Sequence, residues 1–134
     1  MCAAVLDMAR NASARSPAQK LIVVIEADLE ARAHHERALR SAGYTVVAFA
    51  SCPEPSEVAL AAVVLSDVAS FHWQRESSSG PQPPTIVMTD DEKAGVIACL
   101  CGAATWVRSS AGEAGLLEEL ETVLGSDDGF STNE

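Results

Sequence analysis

Aromatic side chains are scarce in this sequence of 134 residues, where three Phe, two Trp and one Tyr make up 4% of the chain. A core must therefore be built from aliphatic side chains, for which the apolar fraction of 48% is sufficient. The length suits one domain better than two. Because no apolar run approaches the roughly 18 residues that a membrane span needs, we expect one soluble domain with no membrane partner.

Basic residues are also few, and the formal net charge is −10. Only Arg75, Lys93 and Arg108 follow residue 40, whereas residues 109–134 contain seven acids and no base. Nucleic-acid binding requires a basic face that neutralises phosphates and releases counterions. The charge distribution therefore argues against a nucleic-acid partner, and it predicts a solvated C-terminal helix face followed by an acidic tail.

Motifs for enzymatic chemistry are missing as well. The sequence contains no Gly-rich phosphate loop, no nucleophile elbow and no His/Cys set at metal-ligand spacing. Its four cysteines are Cys2, Cys52, Cys99 and Cys101. Their spacing matches neither a zinc site nor a redox pair, which favours reduced thiols and a cytoplasmic protein. A small hydrolase or nucleotide-binding domain is thus disfavoured, and we predict that the chain is not an enzyme.

The segment that organises the rest is Leu21–Asp28, LIVVIEAD, an apolar run that ends in acids. It predicts a strand buried on both faces, with Glu26 and Asp28 at its C-terminal end. Open α/β sheets bind ligands in the crevice outside these strand ends. The same pattern recurs where a short apolar strand over Ala62–Leu65 is followed by Asp67, and where Thr85–Met88 is followed by Thr89.

Strands and helices are expected to alternate along the chain. The predicted strands are the first run, Tyr44–Ala50, Ala62–Leu65, Thr85–Met88 and Thr105–Val107. The predicted helices are one capped by Asp28 and ended by Gly43, two short ones over Ser56–Ala61 and Ser70–Glu76, then Glu92–Leu100 and a last helix ended by Gly125. This pattern predicts an α/β, flavodoxin-like fold: a five-stranded parallel sheet in the order 2-1-3-4-5, with helices on both faces and helices 2 and 3 shortened.

Three segments follow from this interpretation: a flexible N-terminal extension over 1–19, the domain over 20–125 and an acidic disordered tail over 126–134. The extension could alternatively form a docking helix. In the predicted strand order, Glu26, Asp28 and Asp67 converge, with Thr89 and Ser109 at the adjoining strand ends. His34 and His35 are expected to point away from that edge.

Over about residues 20–125 the sequence resembles a response-regulator receiver domain, the phosphoacceptor module of two-component signalling. The resemblance rests on LIVVIEAD followed by Arg32, on Gly43–Tyr44, and on three further segments: VVLSD at Val63–Asp67, PTIVMT at Pro84–Thr89 and GAATWV at Gly102–Val107. It implies that Asp67 is the candidate phosphoacceptor and that Glu26 and Asp67 are candidate Mg2+ ligands; the position of Asp28 at the strand end makes it a third candidate, one residue beyond the family's acidic pair.

The resemblance also assigns roles on the other side of the crevice. Thr89, with Ser109 and Arg108, would contact the phosphoryl group, and Thr89 and Trp106 would form the switch pair. Two positions depart from the family pattern, because Ala27 stands where a metal ligand is expected and Ser109 stands where a lysine is expected. Without that ligand and that cation, phosphoryl transfer loses several kcal/mol of electrostatic stabilisation.

We therefore predict an atypical receiver, or pseudo-receiver, that acts in signal transduction by protein–protein interaction and is not efficiently phosphorylated. The binding face would be helix 4–strand 5–helix 5, or helix 1. Its partners would be a histidine kinase, a phosphotransfer protein or an output protein, with a homodimer also possible. No cofactor would be required, and any Mg2+ binding would be weak. The alternative is a phosphoaccepting single-domain regulator that uses Asp67 and Mg2+.

Overall fold

Five parallel strands form one sheet in the computed structural model, which describes residues 20–78 and 80–132. The extension predicted for 1–19 lies outside the described residues. The strands are β1 (Leu21–Ile25), β2 (Thr45–Phe49), β3 (Val63–Ser66), β4 (Thr85–Met88) and β5 (Thr105–Val107). Their order is β2-β1-β3-β4-β5, with β1 paired to both β2 and β3. The predicted flavodoxin-like order is confirmed, and the ends of β1 and β3 are neighbours.

Five helices connect or follow these strands: α1 (Leu29–Ser41), α2 (Pro55–Val58), α3 (Val68–Ser77), α4 (Glu92–Leu100) and α5 (Gly112–Thr132). A short 3-10 turn over Ser109–Ala111 precedes α5. None of the helices within the described ranges combines the length and the apolar character that crossing a membrane would require.

The helices cover both faces of the sheet because side chains alternate along each strand. In β1, Ile22 and Val24 belong to the cluster formed with Leu39 of α1 and Leu120 of α5. The alternate residues Val23 and Ile25 point to the other face of the sheet and pack with Val58 of α2. On that second face, Phe71 of α3 and Ala98 of α4 pack against Val87 of β4. The core is largely aliphatic, as the composition predicted.

Helix ends follow the backbone conformation of the glycines near them. Gly43 and Gly102 have φ values of 101° and 114°, and α1 and α4 end just before them as predicted. The predicted end at Gly125 is wrong, because α5 continues to Thr132 and the φ of Gly125 is not positive. Residues 126–132, the first part of the predicted tail, continue α5, and residues 133–134 lie outside the described part of the chain.

The second helix is short, as predicted, with only four residues in α2. Pro55 occupies its first turn, and the Glu54 and Glu57 side chains form a capping box with the backbone. The third helix begins at Val68, two residues earlier than expected, because Asp67 rather than a later residue caps it.

Candidate functional site

The loop after β1 uses its two acidic side chains to hold its own backbone. Glu26 Oε2 accepts a hydrogen bond from the Asp28 N–H at 3.1 Å. Asp28 Oδ2 accepts one from the Ala31 N–H at 2.8 Å and so caps α1. Arg32 Nη1 donates to the Glu26 carbonyl oxygen at 2.9 Å and lies 3.5 Å from that of Ala27. Hydrogen bonds from Glu26, Asp28 and Arg32 therefore fix the backbone of the loop. The side chain of Ala27, which is exposed, is only a methyl group and offers no ligand atom.

Asp67 lies at the end of β3, half-buried, beside the end of β1. Its backbone N–H donates to the Ile25 carbonyl at 3.2 Å. Its Oδ1 accepts from the Ser70 N–H at 2.7 Å, which caps α3. Among the described residues no donor contacts Oδ2. Asp67 therefore has a structural role at the helix start.

A magnesium ion does not fit this set of side chains as the structure places them. Two of the three predicted ligands, Glu26 and Asp28, direct an oxygen to a backbone N–H of their own loop, and the side chain between them, that of Ala27, has no donor atom. Within the described part of the chain, no group of three or more His, Cys, Asp or Glu residues could hold a metal ion. Since Mg2+ requires near-octahedral oxygen coordination, the predicted trio is not assembled as a metal site.

Thr89 follows β4 and lies on the other side of the crevice. Its backbone N–H donates to the Val107 carbonyl at 3.0 Å, which extends the β4–β5 pairing by one residue. Its Oγ1 accepts a hydrogen bond from the Asp91 N–H at 3.1 Å. Asp91 Oδ1 in turn accepts from the Lys93 and Ala94 N–H groups and caps α4. The hydroxyl predicted to contact a phosphoryl group thus also orders the start of α4.

Asp90 connects this loop to the segment after β5. Its Oδ1 accepts hydrogen bonds from both the backbone N–H and the hydroxyl of Ser110, each at 2.9 Å. These bonds hold the pKa of Asp90 below its ordinary value, with a smaller contribution from the charge of Arg108. Arg108 Nη1 also donates to the Asp90 carbonyl at 3.0 Å, and its Nη2 lies 3.7 Å from Glu92 Oε1. Two loops that are 18 to 20 residues apart are therefore joined.

Trp106 is half-buried between Arg108 and α4. The Arg108 guanidinium carbon lies 5.3 Å from the centroid of the indole ring, a cation–π distance. The indole ring also contacts Gly95 of α4. A Cβ added at Gly95 would lie 2.6 Å from Trp106 Cγ and closer still to Cδ2. The ring therefore rests directly on the backbone of α4, and only glycine permits that approach. Arg108 and Trp106 are brought together, whereas Ser109 is exposed in the 3-10 turn.

The histidines of α1 were wrongly predicted to point away from the strand ends. Both line a cavity of about 20 Å³ together with the last residues of β4 and β5 and the start of α5: Met88, Val107, Arg108, Ser109, Gly112, Glu113 and Leu116. His35 is 8% exposed, and its Nδ1 has no hydrogen-bond partner among the described residues. Burial, and then the charge of His34, lower the pKa of His35. In the sequence, this location of His35 was indicated only by its place in the inward-facing stripe of α1.

The outer face of α4 is apolar, a feature that the sequence analysis missed. Val96, Ile97 and Leu100 are 46%, 45% and 82% exposed, whereas the small residues Gly95 and Ala98 are buried. The signal was present in the segment EKAGVIACL, because its small residues lie on one side and its large aliphatic residues on the other. Small residues allow a helix to approach the sheet and Trp106 closely, which leaves the large side chains in solvent.

Comparison with known proteins shows the fold. No family model matches the sequence, and a search of curated proteins finds no match. A putative response regulator from Chloroflexus aurantiacus is 18% identical, with a TM-score of 0.70 over 79% of this chain and 98% of that one. A response regulator receiver protein from Burkholderia phymatum is 24% identical, with a TM-score of 0.67 over 79% and 95%. The chemotaxis response regulator CheY4 of Vibrio cholerae is 21% identical, with a TM-score of 0.65 over 78% and 98%. The fold is that of response-regulator receiver domains, as the resemblance implied.

Proposed function

We propose that this chain is an atypical receiver domain that transmits a signal by binding another protein, without efficient phosphorylation and without a required cofactor. The observation that carries the proposal is the apolar outer face of α4, formed by Val96, Ile97 and Leu100. Soluble domains seldom leave such a patch on one helix face unless it meets a partner. The partner is a histidine kinase, a phosphotransfer protein or an output protein, and the protein acts in the cytoplasm.

The chemistry at the strand ends supports the same conclusion. Phosphoryl transfer to a carboxylate needs cations that neutralise the dianionic group and the surrounding acids. Glu26 and Asp28 are engaged by backbone N–H groups, and Ala27 offers no oxygen. The nearby cation, Arg108, is engaged with Asp90, Glu92 and Trp106. The fold is kept, while the groups that would stabilise the transition state serve other contacts.

The decisive experiment offers the protein Mg2+ together with acetyl phosphate or beryllofluoride. We expect no mass increase and no change in Trp106 fluorescence, which is read in a Trp73→Phe background so that one indole reports. The matched control is Asp67→Asn, which keeps the cap of α3 but cannot accept a phosphoryl group. A stoichiometric mass increase that Asp67→Asn abolishes would overturn the proposal.

The binding face is tested with Leu100→Lys, which places a charge on the most exposed member of the patch. Titration against histidine kinases, phosphotransfer proteins and output proteins encoded beside the gene should find a partner whose affinity falls at least about tenfold in this variant. The matched control is Leu60→Lys, because Leu60 is 79% exposed but lies just after α2. Equal losses in both variants would argue against the α4 face. Sedimentation of the same variants tests whether the partner is a second copy.

A second candidate function is supported by the position of Asp67. A phosphoaccepting regulator needs a carboxylate at the end of β3 beside the end of β1, and Asp67 occupies that position. This function would require Glu26 and Asp28 to release their backbone partners and turn toward Mg2+. It predicts calorimetric Mg2+ binding that disappears in Asp67→Asn. Absence of binding at millimolar Mg2+ would exclude it.

A further inference from the structure

A cleft of about 440 Å³ lies between the loop after β2 and the first turns of α3, and the backbone N–H of Ser70, which lines it, donates to Asp67 Oδ1 at 2.7 Å. It is lined by Ser51, Cys52, Ala69, Ser70 and Trp73. Its volume falls in the range of small-molecule and side-chain binding sites. Trp73 is 55% exposed although it lines the cleft, so the indole offers ring surface to a ligand. The cleft thus combines an aromatic wall with two hydroxyl groups and a thiol.

The electrostatic character of the cleft is set by Asp67. The residues that line it include no lysine or arginine. The start of α3 contributes about half a positive charge, which the full charge of the Asp67 carboxylate outweighs. Its influence reaches the cleft wall, because burial first and the charge of Asp67 second raise the pKa of the Cys52 thiol. An anion would therefore be repelled, and a cation would be attracted.

The shape of the cleft distinguishes between possible cations. Trp73 is six residues along α3 from Asp67, a rise of about 9 Å, and helical side chains lean toward the helix start. A long side chain that packs its methylene stem on the indole can extend its head group along the cleft toward Ser70, whose backbone N–H holds the Asp67 carboxylate. A guanidinium presents five N–H donors in one plane, which suits the carboxylate oxygen together with the hydroxyls of Ser51 and Ser70.

We propose that this cleft receives an arginine side chain of a signalling partner, with its stem on Trp73 and its guanidinium on Asp67. The proposal rests on the proposed function, in which Asp67 remains unphosphorylated. The net charge of −10 favours a basic partner segment over a second copy of this acidic chain. Asp67 thereby serves as a recognition residue at the position where the receiver fold would place a phosphoryl group.

The probe is N-acetyl-arginine methylamide, titrated into the full chain without Mg2+ or a phosphate donor and followed by NMR. We expect saturable shifts of the Trp73 indole N–H and of the Ser70 amide. Two probes of similar shape serve as comparisons. The citrulline analogue is uncharged, and we expect it to bind at least about tenfold more weakly; the lysine analogue has three donors and should bind more weakly than arginine.

Variants separate the cleft from the general acidity of the chain. Asp67→Asn keeps the helix cap but removes the charge, and Trp73→Ala removes the wall; each should weaken arginine binding about tenfold. Glu76→Gln, an exposed acid near the end of α3, removes the same charge away from the cleft and should leave the affinity unchanged.

Equal binding of the citrulline probe, or an affinity unaffected by Asp67→Asn, would overturn the proposal. Concentration-dependent shifts of Trp73 without any probe would assign the cleft to a second copy and would also overturn it. Phosphorylation is read separately by mass, so failure of the arginine site and failure of the proposed function are distinguishable.

Discussion

The two halves of the strand-end edge are built in different ways. In the β1/β3 half, which comprises residues 26–28 and Asp67, the acidic side chains bond residues two or three positions away, and the Arg32 side chain bonds the loop five or six positions away. In the β4/β5 half, which comprises residues 89–91 and 106–110, the bonds of Thr89 and Asp91 are equally local, whereas the side-chain bonds to Asp90 connect residues 18 to 20 positions apart. The first half consists of separate helix caps. The second half joins two loops and a tryptophan into one unit.

The difference indicates which half can transmit a signal. A cap that bonds only within its own loop orders that loop but does not couple it to a neighbour. Bonds between distant loops make their movements interdependent, because one loop cannot shift without breaking contacts with the other. The β4/β5 half also contacts α4 through Trp106 and Gly95. We therefore expect the coupling to the α4 face to depend on this half, and the following variants test that expectation in order of expected effect.

Gly95→Ala should produce the largest change, because the added methyl group overlaps the Trp106 ring. Forcing extra volume into a packed contact costs about 1–3 kcal/mol of the free energy of unfolding. Urea denaturation measures this loss. Gly125→Ala is the matched control in a helix, since nothing lies within 4 Å of the added group, and it should cause no loss. Similar losses in both variants would contradict the close Trp106 contact.

Asp67→Ala should cost about 1 kcal/mol of the free energy of unfolding, because α3 loses its N-cap. Asp67→Asn should stay within a few tenths of a kcal/mol of the parent, since asparagine caps equally well. Neither variant should change Trp106 fluorescence if the two halves are independent. A fluorescence change in Asp67→Ala would show that the halves are coupled.

Acidification should weaken the fold through His35. Its pKa is lower in the folded chain than the ordinary value of 6.5, so the unfolded chain binds the proton more readily. Stability is therefore constant above about pH 6.5 and falls below it, until the folded form also takes up the proton. The groups facing the ring are His34 on α1, Arg108 after β5 and Glu113 on α5. Urea titrations at several pH values should show this slope reduced in His35→Leu, and an unchanged slope would contradict the assignment.

Asp90→Ala should have the smallest effect on stability, because the carboxylate is exposed to solvent. Its effect is on coupling: the Ser110 amide loses its acceptor and should exchange with solvent faster. Because the pKa of Asp90 is lowered by these bonds, the link is present above the ordinary carboxylate range and is lost as the pH falls through the folded value. Unchanged exchange of the Ser110 amide and unchanged Trp106 fluorescence would show that the β4/β5 half is not joined by this link.

The fold was predictable because its signals are local and repeated. Apolar runs such as LIVVIEAD, and the glycines at 43 and 102, determine strands and helix ends through backbone preferences that neighbours do not alter. Gly125 was misread because glycine ends a helix only when its φ becomes positive, and the sequence does not state φ. The position of Asp67 beside the end of β1 was likewise predictable, because the predicted strand order makes β1 and β3 neighbours.

The partners of the site residues were not predictable to the same degree. The cap formed by Asp28 was predicted, whereas only the three-dimensional arrangement shows that Asp67 also caps a helix and that Glu26 bonds its own loop. Asp90 joins loops 18 to 20 residues apart, and no local pattern in the sequence indicates that role. His35 was predicted to point away from the strand ends, and the packing of α1 against α5 placed it in a cavity at the strand ends instead.

The sequence by itself determined the order of strands and helices, the acidic character of the strand ends and the absence of a ligand side chain at Ala27. These properties depend on local composition and on the period of the apolar residues. The tertiary structure alone decided that Trp106 rests on Gly95 and that Asp90 holds Ser110. The physical reason is that close packing and long-range hydrogen bonds depend on distances between segments, and no local pattern encodes those distances.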